Sequence, residues 1–284
     1  MEYSLDELII AVMARYLTGE VLVGAVTAFG TLAGIVARHV YAPDLGILSS
    51  PESGLDANGF PTLTLAEFFA ARDQGIPLTM EEVFDAIFTD HFRIWIHPAQ
   101  IDRQGSVNIS AIGAWERPKV ALVGSRGIPE DTSHLSQLLY YILDHSPRTV
   151  VEHVDFQSGP GNTDRRATEL GPIGSPSVLI TNLGVFDFLG PEGTLRVISL
   201  HPEVSLETVR MASGFMPAVK EPLATTSAPT AAEIAVIRRY DPLKVRKLEW
   251  SQEPDGGRAL LAAYHAERTQ FLGDLAATPE DRPT

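Results

Sequence analysis

Two hydrophobic periods alternate along this chain, and that alternation constrains the fold more than any other feature. Stretches with apolar residues three and four apart give way to short runs of β-branched and aromatic residues, then return. A chain built this way forms a mostly parallel sheet covered by helices, a doubly wound α/β fold. Ser4 and Glu7 make an S-x-x-E capping box, after which Leu5, Leu8, Ile9, Val12, Met13 and Tyr16 keep helical spacing until Gly19. Residues 20–25 read as a buried strand, Ala28 to Val40 as a helix of small residues, and Leu45 to Ser49 as a strand stopped by Pro51. Further on, the pattern predicts a helix over 80–88, strands over 92–96 and 119–123, and a helix from Ser133 to Asp144, apolar along its length. Strands follow at 149–154, 177–181, 184–188 and 194–200, the last three close enough together to pair partly antiparallel. Ser205 to Ala212 and Ala231 to Arg239 read as closing helices. From residue 251 the chain turns polar, with helical pattern over 258–275 and then an end that reads as disordered. No repeat or linker divides it, so the expectation is one domain over 1–250 and a polar tail over 251–284.

Composition removes several classes of function. With 284 residues, 44% of them hydrophobic, there is enough material for a large core. The chain has no cysteine, which excludes disulfides, thiolate metal sites and a cysteine nucleophile, and accords with a cytoplasmic location. Glu2 and Asp6 stand where a signal peptide needs basic residues. No apolar run approaches the roughly 20 residues of a membrane span. A net charge of −14 repels nucleic acid, so an anionic ligand needs a local positive patch from this chain or a partner. The eight histidines show no metal-binding spacing, and no P-loop, G-x-S-x-G elbow or G-x-G-x-x-G is present.

In open α/β sheets ligands bind beyond the carboxyl ends of strands, which directs attention to two loops. One is Pro51-Glu52-Ser53-Gly54, within the loop 50–63 that follows a strand. A carboxylate there, beside a glycine that admits another backbone, suits a nucleophile or base; a surface glutamate in a turn is the plainer alternative. The other is Gly124-Ser125-Arg126-Gly127, opening the loop segment GSRGIPEDTSH. Its glycines let successive N–H groups converge on an anion or developing oxyanion, and Arg126 adds a bidentate donor. A simple strand-to-helix connection explains the same spacing.

Several segments, taken together and in order, resemble the β subunit of class I coenzyme A transferases of the glutaconate type. They are HVYAPDLGIL (39–48), ESGL (52–55), AQIDRQGSVNIS (99–110), the G-S-R-G loop, TNLGVFDF (181–188) and SLHPEVS (199–205). The resemblance implies the doubly wound CoA-transferase fold, no permanently bound cofactor, no metal, and a CoA thioester as substrate. It implies an α-subunit partner in a heterodimer or α2β2 heterotetramer, and neither nucleic acid nor membrane. Glu52 matches the family's catalytic glutamate. In that chemistry the carboxylate attacks the thioester and releases CoA thiolate, leaving an acyl–glutamyl anhydride. The thiolate then attacks the glutamyl carbonyl, freeing the acyl carboxylate and leaving a glutamyl-CoA thioester for the acceptor acid. Ser53, Gly54, Gly124, Ser125, Arg126 and Gly127 match substrate- and CoA-binding positions.

Arg126 stands where the family typically has glycine. That loop with Pro129, and the run from NLGVFDF to SLHP, look closer to the β subunit of the steroid ring-cleaving hydrolase, a side branch that opens a cyclic acyl-CoA by hydrolysis. The resemblance there implies a base on the α subunit, with Glu52 orienting water or substrate. A partner chain without catalytic groups of its own is a third reading.

Overall fold

The computed structural model describes residues 2–19, 21–24, 26–48, 78–162, 176–242 and 244–250, with residues 262, 265, 266 and 269 of the tail. In chain order the elements begin α1 (Leu5–Ala14), β1 (Leu22–Gly24), α2 (Ala28–Val40), β2 (Gly46–Leu48), α3 (Met80–Phe88) and β3 (Phe92–Ile96). A set of short pieces follows: β4 (Gln100–Asp102), β5 (Val107–Asn108), β6 (Ala111–Ile112), β7 (Val120–Ala121) and α4 (Ile128–His134). The chain continues through β8 (Leu138–Ile142), β9 (Val150–Val151), β10 (Pro176–Thr181), β11 (Gly184–Asp187) and β12 (Arg196–Leu200). It closes with α5 (Leu206–Ala212), β13 (Ala218–Thr225), α6 (Ala231–Tyr240) and α7 (Arg246–Trp250). Two compact units result, Met1–Val83 with Pro229–Thr284, and Phe84–Ala228.

In the first unit β1 and β2 pair in parallel, with α2 crossing between them. Thr27 caps α2, its Oγ1 accepting the Gly30 N–H at 3.0 Å. Gly34 faces these strands, where a Cβ would meet Val23 Cγ1 at an ordinary contact distance of 3.4 Å. The predicted capping box on α1 forms, and Leu8, Ile9, Ile10, Val12 and Met13 behind it are buried. The polar ends of α1 are tied to the C-terminal helices by ion pairs. Arg238 grips Glu7 through Nε at 2.7 Å and Nη2 at 3.0 Å, and Arg15 grips Glu233 at 2.9 and 3.0 Å. The Arg246 guanidinium reaches Asp6 and Asp241 with only 4% of its side chain exposed.

The second unit holds six strands in the order β13-β12-β11-β10-β8-β3. β3, β8 and β10 run parallel; β11 is antiparallel to both β10 and β12; β13 runs parallel to β12. The partly antiparallel pairing expected for the closely spaced strands is therefore present. Because β11 reverses direction, β3, β8, β10, β12 and β13 all end on one edge. Trp95, Tyr140, Tyr141, Phe186 and Phe188 are fully buried and fill the core.

One expectation is overturned. Residues 133–144 are not one helix: α4 ends at His134 and β8 takes Leu138–Ile142, buried at every position. An apolar run without alternation suits a strand covered on both faces as well as it suits a buried helix. The segment read as loop through residue 134 is turn only to Gly127, then helix, with Pro129 at its start. β7 is also shorter than the strand expected over 119–123, and it pairs with β6 in a two-stranded ribbon outside the main sheet. Among the described residues no helix is long and apolar enough to cross a membrane.

Candidate active site

The Gly124–Gly127 turn leaves the β6–β7 ribbon, anchored where the Leu122 N–H donates to Ser110 O at 3.0 Å. Gly124 adopts φ +86, open to glycine and strained for other residues. Arg126 holds φ 51, the same left-handed region, which costs a residue with a side chain about 1–2 kcal/mol. The Ile128 N–H returns to Ser125 O at 3.1 Å and closes the turn into α4. Arg126 is exposed and makes no ion pair among the described residues, leaving its guanidinium free for an anion.

Beneath the turn lies a chain of hydroxyls. Ser125 Oγ is 3.1 Å from Ser110 Oγ, which is 2.8 Å from Ser158 Oγ, and Ser158 Oγ accepts the Ile109 N–H at 3.0 Å. Asn108, wholly buried, fixes the Ser110 backbone. Its Oδ1 accepts the N–H of Ser110 and Ala111 at 2.9 and 3.2 Å, and its Nδ2 donates to Gln100 Oε1 and Ala111 O at 2.8 and 2.7 Å. Asp102 closes the preceding turn by accepting the N–H of Gln104 and Ser106. The AQIDRQGSVNIS segment is thus the scaffold on which the serine of the turn rests.

Asp131, on the first turn of α4, is the acid that sequence reasoning missed. It is 5% exposed, and burial, with a smaller contribution from Glu130, pushes its carboxyl up to about 7. Its carboxyl has no hydrogen-bond partner among the described residues. A Cβ added to Gly127 would meet Asp131 Oδ2 at 3.9 Å and no other described atom within 4 Å. The spacing of a glycine and an acid four residues on is helical geometry, but the burial of the acid is a tertiary property that no local pattern reveals.

At the shared strand edge, two buried histidines flank Thr181. His145 Nδ1 is 3.0 Å from Thr181 Oγ1 and its Nε2 is 2.9 Å from Ser213 Oγ. His201 Nε2 donates to Thr181 O at 2.8 Å, and its Nδ1 faces Thr226 Oγ1 at 3.0 Å. Burial lowers both to about 4, so both rings are neutral and every ring nitrogen is paired. They serve the scaffold. His134, at the end of α4, meets Glu130 O and the Phe88 ring instead.

No protein-family profile matches the chain. Among curated proteins it is 32% identical over 243 residues to the cholesterol ring-cleaving hydrolase IpdB subunit of Mycobacterium tuberculosis, covering 81% of this chain and 91% of that one. The chain belongs to the CoA-transferase family as a β-type subunit. It is also 28% identical over 259 residues to the β subunit of the 3-oxoadipate CoA-transferase of Pseudomonas knackmussii, covering 84% of this chain and 94% of that one. The crystal structure of Rhodococcus jostii IpdAB matches with a TM-score of 0.74 and 27% identity, over 88% of this chain and all of the matched chain. The doubly wound fold expected of a CoA-transferase-family chain is the fold observed.

The structure brings four of the expected positions of this CoA-transferase-family β chain, Gly124, Ser125, Arg126 and Gly127, into one turn. Glu52, Ser53 and Gly54 lie outside the described residues. Ser110 and Ser158, like Asp131, were absent from the sequence reading. A single serine carries no periodic signal, and Ser158 meets Ser110 only through the β5–Gly159 bridge.

Proposed function

We propose that this chain is the β subunit of a two-subunit enzyme that acts on an acyl-CoA thioester, with the Gly124–Gly127 turn receiving the thioester or its anionic parts. The observation that carries the reading is the turn itself. It presents two glycine faces free of close described neighbours except Asp131, beside an unpaired guanidinium, in a chain of net charge −14. Such a local cation beside accessible glycine backbone suits an anionic CoA ester. Support for an α-type partner comes from the relatives, one named as a subunit of its transferase and another solved as the pair IpdAB. Their alignments run across both compact units, which supports treating 1–250 as one functional domain with 251–284 as a tail. CoA enters as substrate in this reading, with no resident cofactor, and the cysteine-free chain works in the cytoplasm.

The first reading of the reaction is CoA transfer through a glutamyl-CoA at Glu52, with Ser53 and Gly54 beside it. It rests on the ESGL motif and on the likeness to the 3-oxoadipate CoA-transferase chain. The second is hydrolytic opening of a cyclic acyl-CoA, favoured by the higher identity to the IpdB subunit and by Arg126 in the turn. One experiment separates them. The chain is co-expressed with its α partner and screened against acyl-CoAs with and without an acceptor acid in ¹⁸O-labelled water. Transfer requires the acceptor, traps with borohydride at Glu52, and loses on the order of 10²-fold or more in Glu52→Gln. Hydrolysis places solvent oxygen in a new carboxylate with no acceptor present. Binding of no acyl-CoA by the assembled complex overturns both.

A further inference from the structure

The acid beside the turn calls for an explanation that the scaffold does not supply. A mostly buried polar group without a protein partner is partly stripped of water, and a ligand atom that bonds to it restores what is lost. Asp131 is 5% exposed with no hydrogen-bond partner among the described residues, whereas its neighbours Thr132 and Ser133 are satisfied by the carbonyls of Ile128 and Pro129. Two features give this isolation a direction. The carboxyl lies on the Gly127 side of the turn, its Oδ2 3.9 Å from where a side chain on Gly127 would begin, with no other described atom within 4 Å of that point. A Cβ on Gly124 would likewise meet no described atom within 4 Å. The turn itself is held by Ser125 through Ser110 and Ser158, and the acid stands beside its Gly127 face.

We propose that the Asp131 carboxyl offers its O–H as a hydrogen bond to an acyl oxygen seated against the open face of Gly127. The inference rests on the acyl-CoA reading above and adds to it a specific polar contact. The acid suits the role because burial keeps a large share of it protonated at neutral pH, with Glu130 adding repulsion to the ionised form. A neutral carboxyl donates to a carbonyl oxygen without bringing a negative charge to it, and no proton is transferred.

The test uses the assembled α–β complex and two probes, acetyl-CoA and free CoA, which differ in the acyl oxygen. Calorimetric affinities are measured for wild type, Asp131→Leu and Asp131→Asn. The expected result is about a tenfold weaker hold on acetyl-CoA in Asp131→Leu with free CoA unchanged, and near wild-type affinity for both probes in Asp131→Asn, whose amide N–H replaces the donor. An unchanged acetyl-CoA affinity in Asp131→Leu overturns the proposal, as does equal weakening toward both probes or an Asn variant as impaired as Leu. If Asp131→Leu does not assemble, the comparison of Asp131→Asn with Asp131→Ala decides on the same terms. A wild-type complex that binds neither probe removes the acyl-CoA reading itself, and this contact with it; binding by wild type with no selective loss removes only the contact.

Discussion

Three buried groups in the second unit titrate in ways that oppose one another. His145 and His201 sit near 4 in the fold against about 6.5 in an unfolded chain, so the unfolded state takes up protons first as pH falls. Their contribution is complete above pH 6.5 and is lost between 6.5 and 4, at roughly 1.4 kcal/mol per pH unit for each ring. Asp131 has the opposite sign. Raised to about 7 from 3.8, it favours the fold at low pH and loses that contribution as pH rises through 3.8 to 7. Two histidines outweigh one acid, so urea titrations on the wild type show stability falling from pH 6.5 toward 4. Asp131→Asn steepens that fall and raises stability at pH 8, whereas His201→Gln flattens it. Parallel pH profiles for all three proteins would contradict the assignment. The fully buried Asn108 gives a plainer expectation at this scale. Its two donors and its acceptor serve four contacts, so Asn108→Ala costs roughly 3 kcal/mol in urea unfolding. It also weakens acyl-CoA handling by freeing Ser110 beneath the turn.

At the scale of elements, capped helices and short apolar runs between turns were legible, and a longer unbroken apolar run was not. The capping box of α1 and the helical spacing of α1 and α6 are local properties, written in residues three and four apart, and they appear where the spacing predicts. β8 has no such stripe. Leu138 to Ile142 are covered on both faces, so no polar position marks its period, and its assignment depends on β3 and β10 pairing on either side. β13 escaped the sequence reading because AVKEPLAT contains a proline and mixes polar with apolar residues. Being last in its sheet's order, it tolerates Pro222. The candidate site divides the same way. The glycine-bounded turn was visible as a motif, whereas Ser110, Ser158 and Asp131 join it only through the third dimension. The prediction that belongs here concerns the hydroxyl chain. Ser110→Ala removes the link between Ser125 and Ser158, and is expected to raise the KM for acyl-CoA several-fold while shifting unfolding by only about 1 kcal/mol. An unchanged KM in steady-state assays of the complex would show that the turn does not depend on that link.

Across the whole molecule, charge is spent on closing the first unit. Arg246 reaches Asp6 and Asp241 while almost wholly buried, and Glu7 is held at about 2: burial alone would raise it, but hydrogen bonds from Arg238 and the Ser4 N–H, with the charges of Arg238 and Arg246, prevail. Removing one partner of a buried pair strands the other, so Arg246→Met is expected to destabilise by about 3–5 kcal/mol in urea unfolding. A loss under 1 kcal/mol would mean that water reaches Asp6 and Asp241 freely. The same ion pairs have a consequence in time. Phe84–Ala228 is one unbroken stretch, whereas the other unit joins the first residues to a segment made after all of these. On a ribosome the middle unit is made in full while α1 waits, its acids unmatched, for arginines still to be translated. A chain halted at residue 228 therefore carries an orphaned beginning, an open substrate for chaperones and proteases.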